Sequence, residues 1–181
     1  MEVSIVPFEA EKISAVLKFT DRAIGDNYYQ RSDLVKFTEL GHSYLLENAE
    51  TGDILGVRLT LPPGTWVGRE KLKGLHPHLW DVDPEKVAYF KSIFLADEVR
   101  GQNFGLELSR VAMAGLKGDG ALAVVCHSWN ESPNDSSGRY LRKLGFKDLV
   151  VIENFWGDID YSCTRCGNPC KCSATEMICR L

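Results

Sequence analysis

A strand, a glycine-containing turn and a helix follow one another between Val87 and Gly118, and this unit limits the fold more than any other feature of the chain. Val87 to Leu95 is rich in aromatic and β-branched residues, which predicts a strand. Arg100 to Gly105 is the turn. The helix after it is predicted from apolar residues at helical spacing, namely Phe104, Leu108, Val111, Ala112 and Leu116. A strand joined directly to an amphipathic helix is typical of an α/β domain.

The remaining elements surround this unit. Further strands are predicted at Val3 to Pro7, Ser43 to Asn48, Ile54 to Leu61, Ala121 to Cys126, Leu149 to Ile152 and Ile159 to Tyr161. Further helices are predicted over Glu11 to Ile24, Ser32 to Leu40 and Ser136 to Leu144. The segment from Pro62 to Pro84 holds four prolines and three glycines, which predicts a long loop. A loop of this length is either a lid or binding loop, or an ordinary surface excursion.

Length and charge narrow the class of protein. The 181 residues fit one domain. The net charge of −4 at pH 7 argues against a nucleic-acid partner, because such proteins usually carry a basic surface. No apolar stretch approaches the roughly 18 residues of a membrane span, so no membrane partner is expected. The first residues have neither a basic start nor an apolar run of signal-peptide length, which predicts a cytoplasmic protein.

The turn from Arg100 to Gly105 has the properties of an anion-binding loop. The N-terminus of a helix presents unpaired backbone N–H groups and partial positive charge. Glycine lets the backbone approach an anion without obstruction by a Cβ atom. These features suit a pyrophosphate, as in a nucleotide or coenzyme A. Considered alone, however, the turn is better explained as a plain strand-to-helix connection, because glycines are common in such turns.

Two motifs and the order of elements change that balance. Arg100-Gly101-Gln102-Asn103-Phe104-Gly105 resembles the acetyl-CoA signature Arg/Gln-x-x-Gly-x-Gly/Ala of the GNAT N-acetyltransferase family. Tyr140-Leu141-Arg142-Lys143-Leu144-Gly145-Phe146 resembles the family's helix ending in Lys-Leu-Gly-Phe. The resemblance extends to about Tyr161. It implies a GNAT domain over residues 1–161, with a mixed, mostly antiparallel sheet flanked by helices.

The resemblance also implies an activity. Members of the family transfer the acetyl group of acetyl-CoA to a primary amine, so we expect a small-molecule or peptide amine as acceptor and allow for a homodimer. The residues implied to bind the cosubstrate are Phe94, Leu95, Arg100, Gly101, Gln102, Asn103, Phe104, Gly105 and Ser136. Asn103 stands where the signature has its first glycine. Asparagine tolerates unusual backbone angles better than most residues, so the turn can keep its shape.

The family's chemistry requires an acid and an oxyanion donor. The acid that protonates the leaving thiolate is often a tyrosine five residues before the phenylalanine of the second motif, and Leu141 stands there. Tyr140 is one position away, about 100° around the helix, and is the alternative acid. The oxyanion donor is a backbone N–H on the strand before the signature, which corresponds to a position near Leu95.

A base must also remove a proton from the amine. Candidate bases are Glu98, His127, Asp97 and Glu153. His127 follows an apolar strand and can relay protons near neutral pH, although a hydrogen-bonded structural histidine is the more common role. Ser128, Trp129 and Trp156 are candidates for the acceptor pocket, though aromatic residues near strand ends more often belong to the core.

Five of the six cysteines lie within the last 19 residues. Cys163, Cys166, Cys170 and Cys172 form the pattern C-T-R-C-G-N-P-C-K-C, in which the first pair resembles a zinc knuckle. Gly167 and Pro169 favour a reversal that brings the second pair to the same ion. Four thiolates complete a tetrahedral zinc site, so we expect a structural zinc in a Cys-rich tail over residues 162–181. Free thiols, disulfides and an iron–sulfur cluster stay open.

Three functions from different classes fit these observations. The first is the acetyltransferase described above. The second is a non-catalytic acyl-CoA sensor or binding module, which Asn103 and Leu141 favour because both depart from the family's pattern. The third is a metal-dependent interaction module built on the same fold, because fold alone does not establish activity. Thiol release from acetyl-CoA with a panel of amines separates the first from the second.

Overall fold

The structure, a computed structural model, describes residues 2–69 and 73–181. Within these residues seven strands form one sheet and four α-helices cover it. The strands are β1 (Val3–Pro7), β2 (Tyr44–Asn48), β3 (Ile54–Leu61), β4 (Val87–Leu95), β5 (Ala123–Trp129), β6 (Lys147–Ile152) and β7 (Ala174–Arg180). The helices are α1 (Ile13–Ile24), α2 (Arg31–Glu39), α3 (Phe104–Gly118) and α4 (Ser136–Lys143).

The sheet has the strand order β1-β2-β3-β4-β5-β7-β6. The neighbours β4 and β5 run parallel, and every other neighbouring pair of these strands is antiparallel. Helices lie on both faces of this mixed, mostly antiparallel sheet. The fold class predicted from the order of elements is therefore confirmed.

The strands β4 and β5 separate halfway along their length. They pair only from Val87 to Phe90 and from Ala123 to Cys126. Beyond these residues β4 continues along β3, and β5 continues along β7. Lys91 is an extra, bulged residue of β4 relative to β3. A bulge bends its strand, so β4 turns away from β5 here and a gap opens in the sheet.

The two faces of the sheet carry different helices. The core under α1 and α2 includes Tyr89 and Val125. The core under α3 and α4 includes Phe90 and Cys126. Neighbouring residues of a strand point to opposite faces, which is why Tyr89 and Phe90 belong to different cores. The gap between β4 and β5 therefore connects the α1 face with the α3 and α4 face.

The last strand differs from the prediction. Ile159 to Tyr161 is not a strand, and β7 takes the predicted place beside β6, between β6 and β5. Tyr161 is instead buried among cysteine side chains. The division of the chain at residue 162 stays a prediction; residues 174–180, which lie after it, form an interior strand of the sheet. Deleting the whole segment from residue 162 would remove that strand.

The described parts of the loop from Pro62 to Pro84 are anchored to the core. Trp66 is 0% exposed, and its Nε1 donates to the carbonyl oxygen of Val87 at 2.8 Å. Trp80 is 1% exposed, and its Nε1 donates to the carboxylate of Glu176 at 2.8 Å. Two buried indoles held in this way argue against a freely moving lid. The remaining three residues of the predicted loop lie outside the described ranges.

No helix in the described ranges combines the length and apolar character of a membrane span. The longest, α3, has 15 residues, whereas a bilayer core requires about 20. The cytoplasmic location, the lack of a nucleic-acid partner and the homodimer considered above stay predictions.

Candidate active site

A cavity of about 930 Å³ occupies the gap between β4 and β5. Its side walls are the diverging ends of the strands, namely Lys91 to Leu95 on β4, and His127 and Trp129 on β5. One half, here called the helix-end half, lies at the N-termini of α3 and α4. The other, called the aromatic half, is lined by Tyr28, Phe155, Trp156 and Tyr161. Two ligands entering from opposite faces of the sheet can therefore meet between the strands.

The N-terminus of α3 opens into the helix-end half without a side-chain cap. Gly101 (φ 77°) and Asn103 (φ 68°) both have left-handed backbone conformations. Asn103 thus adopts a backbone geometry that glycine takes most readily. Arg100 closes the turn by donating from Nε to the carbonyl oxygen of Leu95 at 3.1 Å. The N–H of Leu106 donates to the carbonyl oxygen of Asn103 at 2.9 Å, which leaves the N–H groups of Phe104 and Gly105 at this uncapped N-terminus for an anion.

Two basic side chains of α4 stand beside this N-terminus. Arg139 and Lys143 are exposed and line the cavity. Lys143 donates from Nζ to Oδ1 of Asn103 at 3.3 Å. Ser136, the first residue of α4, lines the same half. Basic side chains and a helix N-terminus together attract a multiply charged anion.

Tyr140 faces the cavity, whereas Leu141 is buried in the core. The Tyr140 hydroxyl makes short hydrogen bonds with Nη2 of Arg58 and Oγ of Ser109. Nη2 of Arg58 also donates to Oγ of Ser109 at 2.9 Å. The shift by one residue from the family's usual tyrosine position therefore still leaves a tyrosine at the cavity.

Arg58 is an unusual core residue, because it is 2% exposed and none of the ion pairs in the described ranges involves it. Its guanidinium lies 4.1 Å over the ring of Phe90. Burial raises the pKa of Tyr140, and the positive charge of Arg58 and the Ser109 hydrogen bond oppose that rise. The pKa of Tyr140 still lies above its usual value, so the phenol is protonated at neutral pH.

His127 is held at both ring nitrogens. Nδ1 accepts from the Tyr89 hydroxyl at 2.7 Å, and Nε2 donates to the carbonyl oxygen of Gly74 at 2.7 Å. These bonds fix the neutral tautomer with its proton on Nε2. Burial lowers the pKa of His127 to about 4. This geometry does not favour His127 as a base, because both of its ring nitrogens already have hydrogen-bond partners.

The lowered pKa of His127 predicts a pH dependence of stability. The unfolded state binds a proton near pH 6.5, whereas the folded state binds it only near pH 4. The buried neutral His127 therefore does not lower the free energy of unfolding above about pH 6.5. As the pH falls from there toward 4, the free energy of unfolding decreases by about 3 kcal/mol. We expect His127→Gln to flatten this part of the curve of melting temperature against pH. His78→Gln, at an exposed histidine, is the control. Parallel curves for wild type and His127→Gln would contradict the assignment.

The carboxylates considered as bases lie outside the cavity. Glu98, Asp97 and Glu153 are exposed, and none of them lines it. Asp97 pairs with Arg100 instead. The geometry does not favour a catalytic Glu98, because this residue lies in the exposed turn before α3 and does not line the cavity. Among the described lining residues there is no Asp or Glu.

The aromatic side chains that line the aromatic half contact one another. Trp156 donates from Nε1 to the hydroxyl of Tyr28 at 3.2 Å, and the rings of Tyr28 and Tyr161 are 5.0 Å apart. Trp129, predicted for the acceptor pocket together with Trp156, also lines the cavity. Ser128 does not line it; the Ser128 hydroxyl donates to Oγ of Ser137 in α4 at 3.1 Å.

No family model and no curated protein matches the sequence. Among solved structures, a GCN5-related N-acetyltransferase from Kribbella flavida matches with a TM-score of 0.67 at 16% identity, covering 99% of this chain and 98% of that chain. The chain has the GNAT fold. The ribosomal-protein-S18-alanine N-acetyltransferase of Escherichia coli is similar over 99% of this chain and 94% of its own (TM-score 0.68, 12% identity). Naa50 of Arabidopsis thaliana, solved with the bisubstrate analogue CoA-Ac-MVNAL, is similar over 100% of both chains (TM-score 0.68, 11% identity).

On this GNAT fold most of the predicted cosubstrate residues come together. Those that line the cavity are Phe94, Leu95, Arg100, Gly101, Asn103, Gly105 and Ser136. Gln102 and Phe104 do not line it: the Gln102 amide donates to the carbonyl oxygen of Glu98 at 2.7 Å, and Phe104 packs against a core cluster with Leu108. Only the backbone groups of these two residues, and not their side chains, are therefore expected to contact a ligand. Leu106 lines the cavity and was missed from the sequence.

The four predicted metal ligands come together between β6 and β7. The sulfur atoms of Cys163, Cys166, Cys170 and Cys172 all lie within 4.8 Å of one another. Cys166 Sγ is 3.7 Å from the sulfur atoms of both Cys170 and Cys172. Four ligands about 2.3 Å from a tetrahedral zinc are about 3.8 Å apart. The cysteines are free of disulfides, so this cluster is able to hold a metal ion.

The backbone around the cluster supports the same arrangement. Cys163 and Gly167 exchange two backbone hydrogen bonds of 3.2 and 2.9 Å across a tight turn, with Gly167 at φ 79°. The N–H of Lys171 donates to Sγ of Cys166 at 3.3 Å. Hydrogen bonds from the backbone to sulfur orient metal-binding thiolates.

Proposed function

We propose that the protein transfers the acetyl group of acetyl-CoA to the α-amino group of a peptide or of a similar amine with an apolar substituent. The observation that carries this proposal is the cavity between β4 and β5. It joins an uncapped helix N-terminus with basic side chains to an aromatic wall on the opposite face. A thioester held at the first half and an amine held at the second would react between the two strands.

The cosubstrate's phosphates belong at the helix-end half. The pyrophosphate is placed on the N–H groups of the first turn of α3, where Gly105 leaves room for it. Arg139 and Lys143 are placed near the remaining negative charge. The acetyl group then lies along the free edge of β4, beside Phe94 and Leu95.

The free edge of β4 supplies a donor for the oxyanion. Ala96 donates its N–H to the carbonyl oxygen of Leu55 in β3 at 2.8 Å. Alternate N–H groups of a strand point to opposite edges, so that of Leu95 points into the gap. As the amine nitrogen attacks the thioester carbon, this N–H stabilises the negative charge that develops on oxygen.

Tyr140 is the proposed acid. When the C–S bond breaks, its hydroxyl gives a proton to the leaving sulfur. The nearby Arg58 guanidinium stabilises the phenolate that remains. The proton lost by the amine returns to Tyr140 through water, which balances the step.

The lack of a carboxylate base in the cavity favours acceptors whose amine is partly neutral without help from the protein. With no carboxylate among the described lining residues, the amine must arrive unprotonated. About one α-amino group in seven is neutral at pH 7, because its pKa is roughly 7.8. For a lysine side chain with a pKa of roughly 10.4 the neutral fraction is only about one in 2,500. An α-amino acceptor is therefore favoured over a lysine or a polyamine.

The aromatic half and the structural neighbours support this class of acceptor. A wall of Tyr28, Phe155, Trp156 and Tyr161 suits an apolar first side chain and offers no carboxylate to a polycation. The Escherichia coli neighbour acts on an alanine of ribosomal protein S18, and the Arabidopsis thaliana neighbour was solved with a peptide-containing bisubstrate analogue.

An acceptor screen tests the function. Thiol release from acetyl-CoA is measured with peptides beginning with Phe, Leu or Met, with spermidine and with an aminoglycoside. We expect kcat/KM for the peptides to exceed that for the polycations by about 10-fold or more. A misfit of a single methylene group between a substrate and an apolar pocket already costs about that factor. Binding of coenzyme A without acceptor-dependent thiol release would favour the non-catalytic acyl-CoA-binding alternative.

The pH profile follows from the same reasoning. We expect kcat/KM for a peptide to rise tenfold per pH unit and to level off near the pKa of its own α-amino group, about 7.8. Peptides with different first residues should shift the midpoint with their amine pKa. A midpoint that is the same for all peptides would indicate a base on the protein and contradict the proposed mechanism.

We also propose that the cysteine cluster binds one structural zinc ion. Four thiolates leave no open position on a tetrahedral ion, so the site would not act on substrates. Metal analysis of protein purified without chelator should find about one zinc per chain, lost in Cys166→Ser/Cys170→Ser. Cys179→Ser, at a buried cysteine of β7 outside the cluster, should keep the metal. If the purified protein is colourless and metal-free and its thiols are titratable, the proposed zinc site is wrong.

A further inference from the structure

The cysteine cluster forms part of the cavity wall. Cys163 and Thr164 line the aromatic half together with Tyr161. The helix-end half is bounded by α3 and α4, which lie on the other face of the sheet. A change in the cluster therefore reaches one half of the cavity directly and the other half only through the sheet.

The cluster is also joined to the end of α1. Thr164 donates its N–H to the carbonyl oxygen of Ile24 at 3.4 Å. A Cβ atom on Gly25 would lie 2.0 Å from the carbonyl oxygen of Ser162, so the two backbones approach as closely as only glycine allows. Tyr28, just beyond, packs its ring against Tyr161. The segment from Ile24 to Tyr28 is thus positioned by the residues around the cysteines.

The segment that carries this wall has little regular structure to hold it. Between the end of β6 at Ile152 and the start of β7 at Ala174, the described residues include one isolated bridge, Cys163 to Gly167. The buried residues here are Tyr161, three of the cysteines and Ser173. In such small segments metal binding provides free energy of folding that apolar contacts do not.

We propose that the metal ion bound by Cys163, Cys166, Cys170 and Cys172 fixes the aromatic half of the cavity, so that metal loading controls recognition of the acceptor amine and leaves coenzyme A binding unchanged. This inference rests on the proposed acetyltransferase function and on the zinc site. The ion fixes the turn, the turn fixes Tyr161 and Thr164, and these fix Ile24 to Tyr28. The phosphate-binding half lies outside this chain of contacts.

The test compares zinc-loaded protein, chelator-stripped protein and Cys166→Ser, which replaces the one exposed ligand. Hydrogen exchange should accelerate about 10-fold or more in residues 24–28 and 155–165 when zinc is absent, because local opening then costs less. The calorimetric Kd for coenzyme A should change by less than about twofold. KM for a Phe-initiated peptide should rise by about 10-fold or more.

Controls and outcomes separate this inference from the function on which it rests. Cys179→Ser should match wild type in all three measurements, and zinc added back to stripped protein should restore them. Unchanged exchange in residues 24–28 without zinc, or an equal loss of coenzyme A affinity, overturns the proposal. If no peptide is acetylated by any form, the proposed function fails, and the exchange and calorimetric results still decide whether the metal fixes this wall.

Discussion

Gly105→Asp should abolish coenzyme A binding in a protein that still folds. Gly105 is the second residue of α3, and a Cβ atom there would lie 3.3 Å from Leu95 Cδ1 and 3.4 Å from Ile93 Cδ1. An added carboxylate therefore fills the floor of the helix-end half and places negative charge where the pyrophosphate is proposed to bind. Near a helix N-terminus the same charge is favourable to the helix itself. We expect the Kd from calorimetry to rise by about 100-fold or more, because two like charges would share one desolvated site.

Three further variants separate a loss of coenzyme A binding from a loss of folding. Gly118→Asp places the same substitution at the exposed end of the same helix, where a Cβ atom meets nothing within 4 Å, and should leave the Kd unchanged. Arg139→Gln/Lys143→Gln alters exposed side chains and should weaken binding and reduce its dependence on salt. Arg110→Gln, an exposed arginine of α3 outside the cavity, is the control for that pair. Full affinity in folded Gly105→Asp would place the coenzyme elsewhere.

The fold was predictable where each element carries its own pattern. The strand, turn and helix from Val87 to Gly118 have periodicity and turn residues within one continuous segment, and the structure follows them closely. β7 was missed because its residues, Ala174–Arg180, contain a glutamate and follow a run of cysteines. Glu176 is compatible with an interior strand because it accepts hydrogen bonds from Trp80 and from His76, residues about 100 positions earlier. No local sequence pattern predicts hydrogen-bond donors that lie so far away in the chain.

The site was predictable to the same degree. The turn residues are contiguous, so the motif identified those that line the cavity. Arg58 was missed because it lies within an apolar strand, 82 positions before Tyr140. The state of His127 was not predictable, because it depends on Tyr89 and on the carbonyl oxygen of Gly74, which only the folded chain brings to it. Local sequence thus identifies where a ligand binds more readily than which side chains are free to react.

Tyr140→Phe should lower kcat about 100-fold, because a positioned acid contributes about 10²- to 10⁴-fold to such a step. The substitution removes the hydroxyl that is hydrogen-bonded to Arg58 and Ser109 and leaves in place the ring of Tyr140, a residue that lines the cavity. Affinity for coenzyme A should stay within about twofold, since the phosphates are bound elsewhere. Tyr44→Phe, at a tyrosine of β2 outside the cavity, should keep full turnover. Full turnover in Tyr140→Phe would remove this residue from the mechanism.

Arg58→Met tests whether the buried guanidinium assists turnover through Tyr140 or stabilises the fold. Replacing a buried charge without a carboxylate partner by an apolar residue of similar size is often neutral or stabilising. If Arg58 were retained for stability alone, the variant would melt earlier and turn over normally. We expect the opposite: an unchanged or higher melting temperature, with kcat lower by about 10-fold and KM unaffected, because the phenolate left after proton transfer loses its stabilising charge. The double variant with Tyr140→Phe should be no slower than Tyr140→Phe alone, since Arg58 acts on turnover through that hydroxyl.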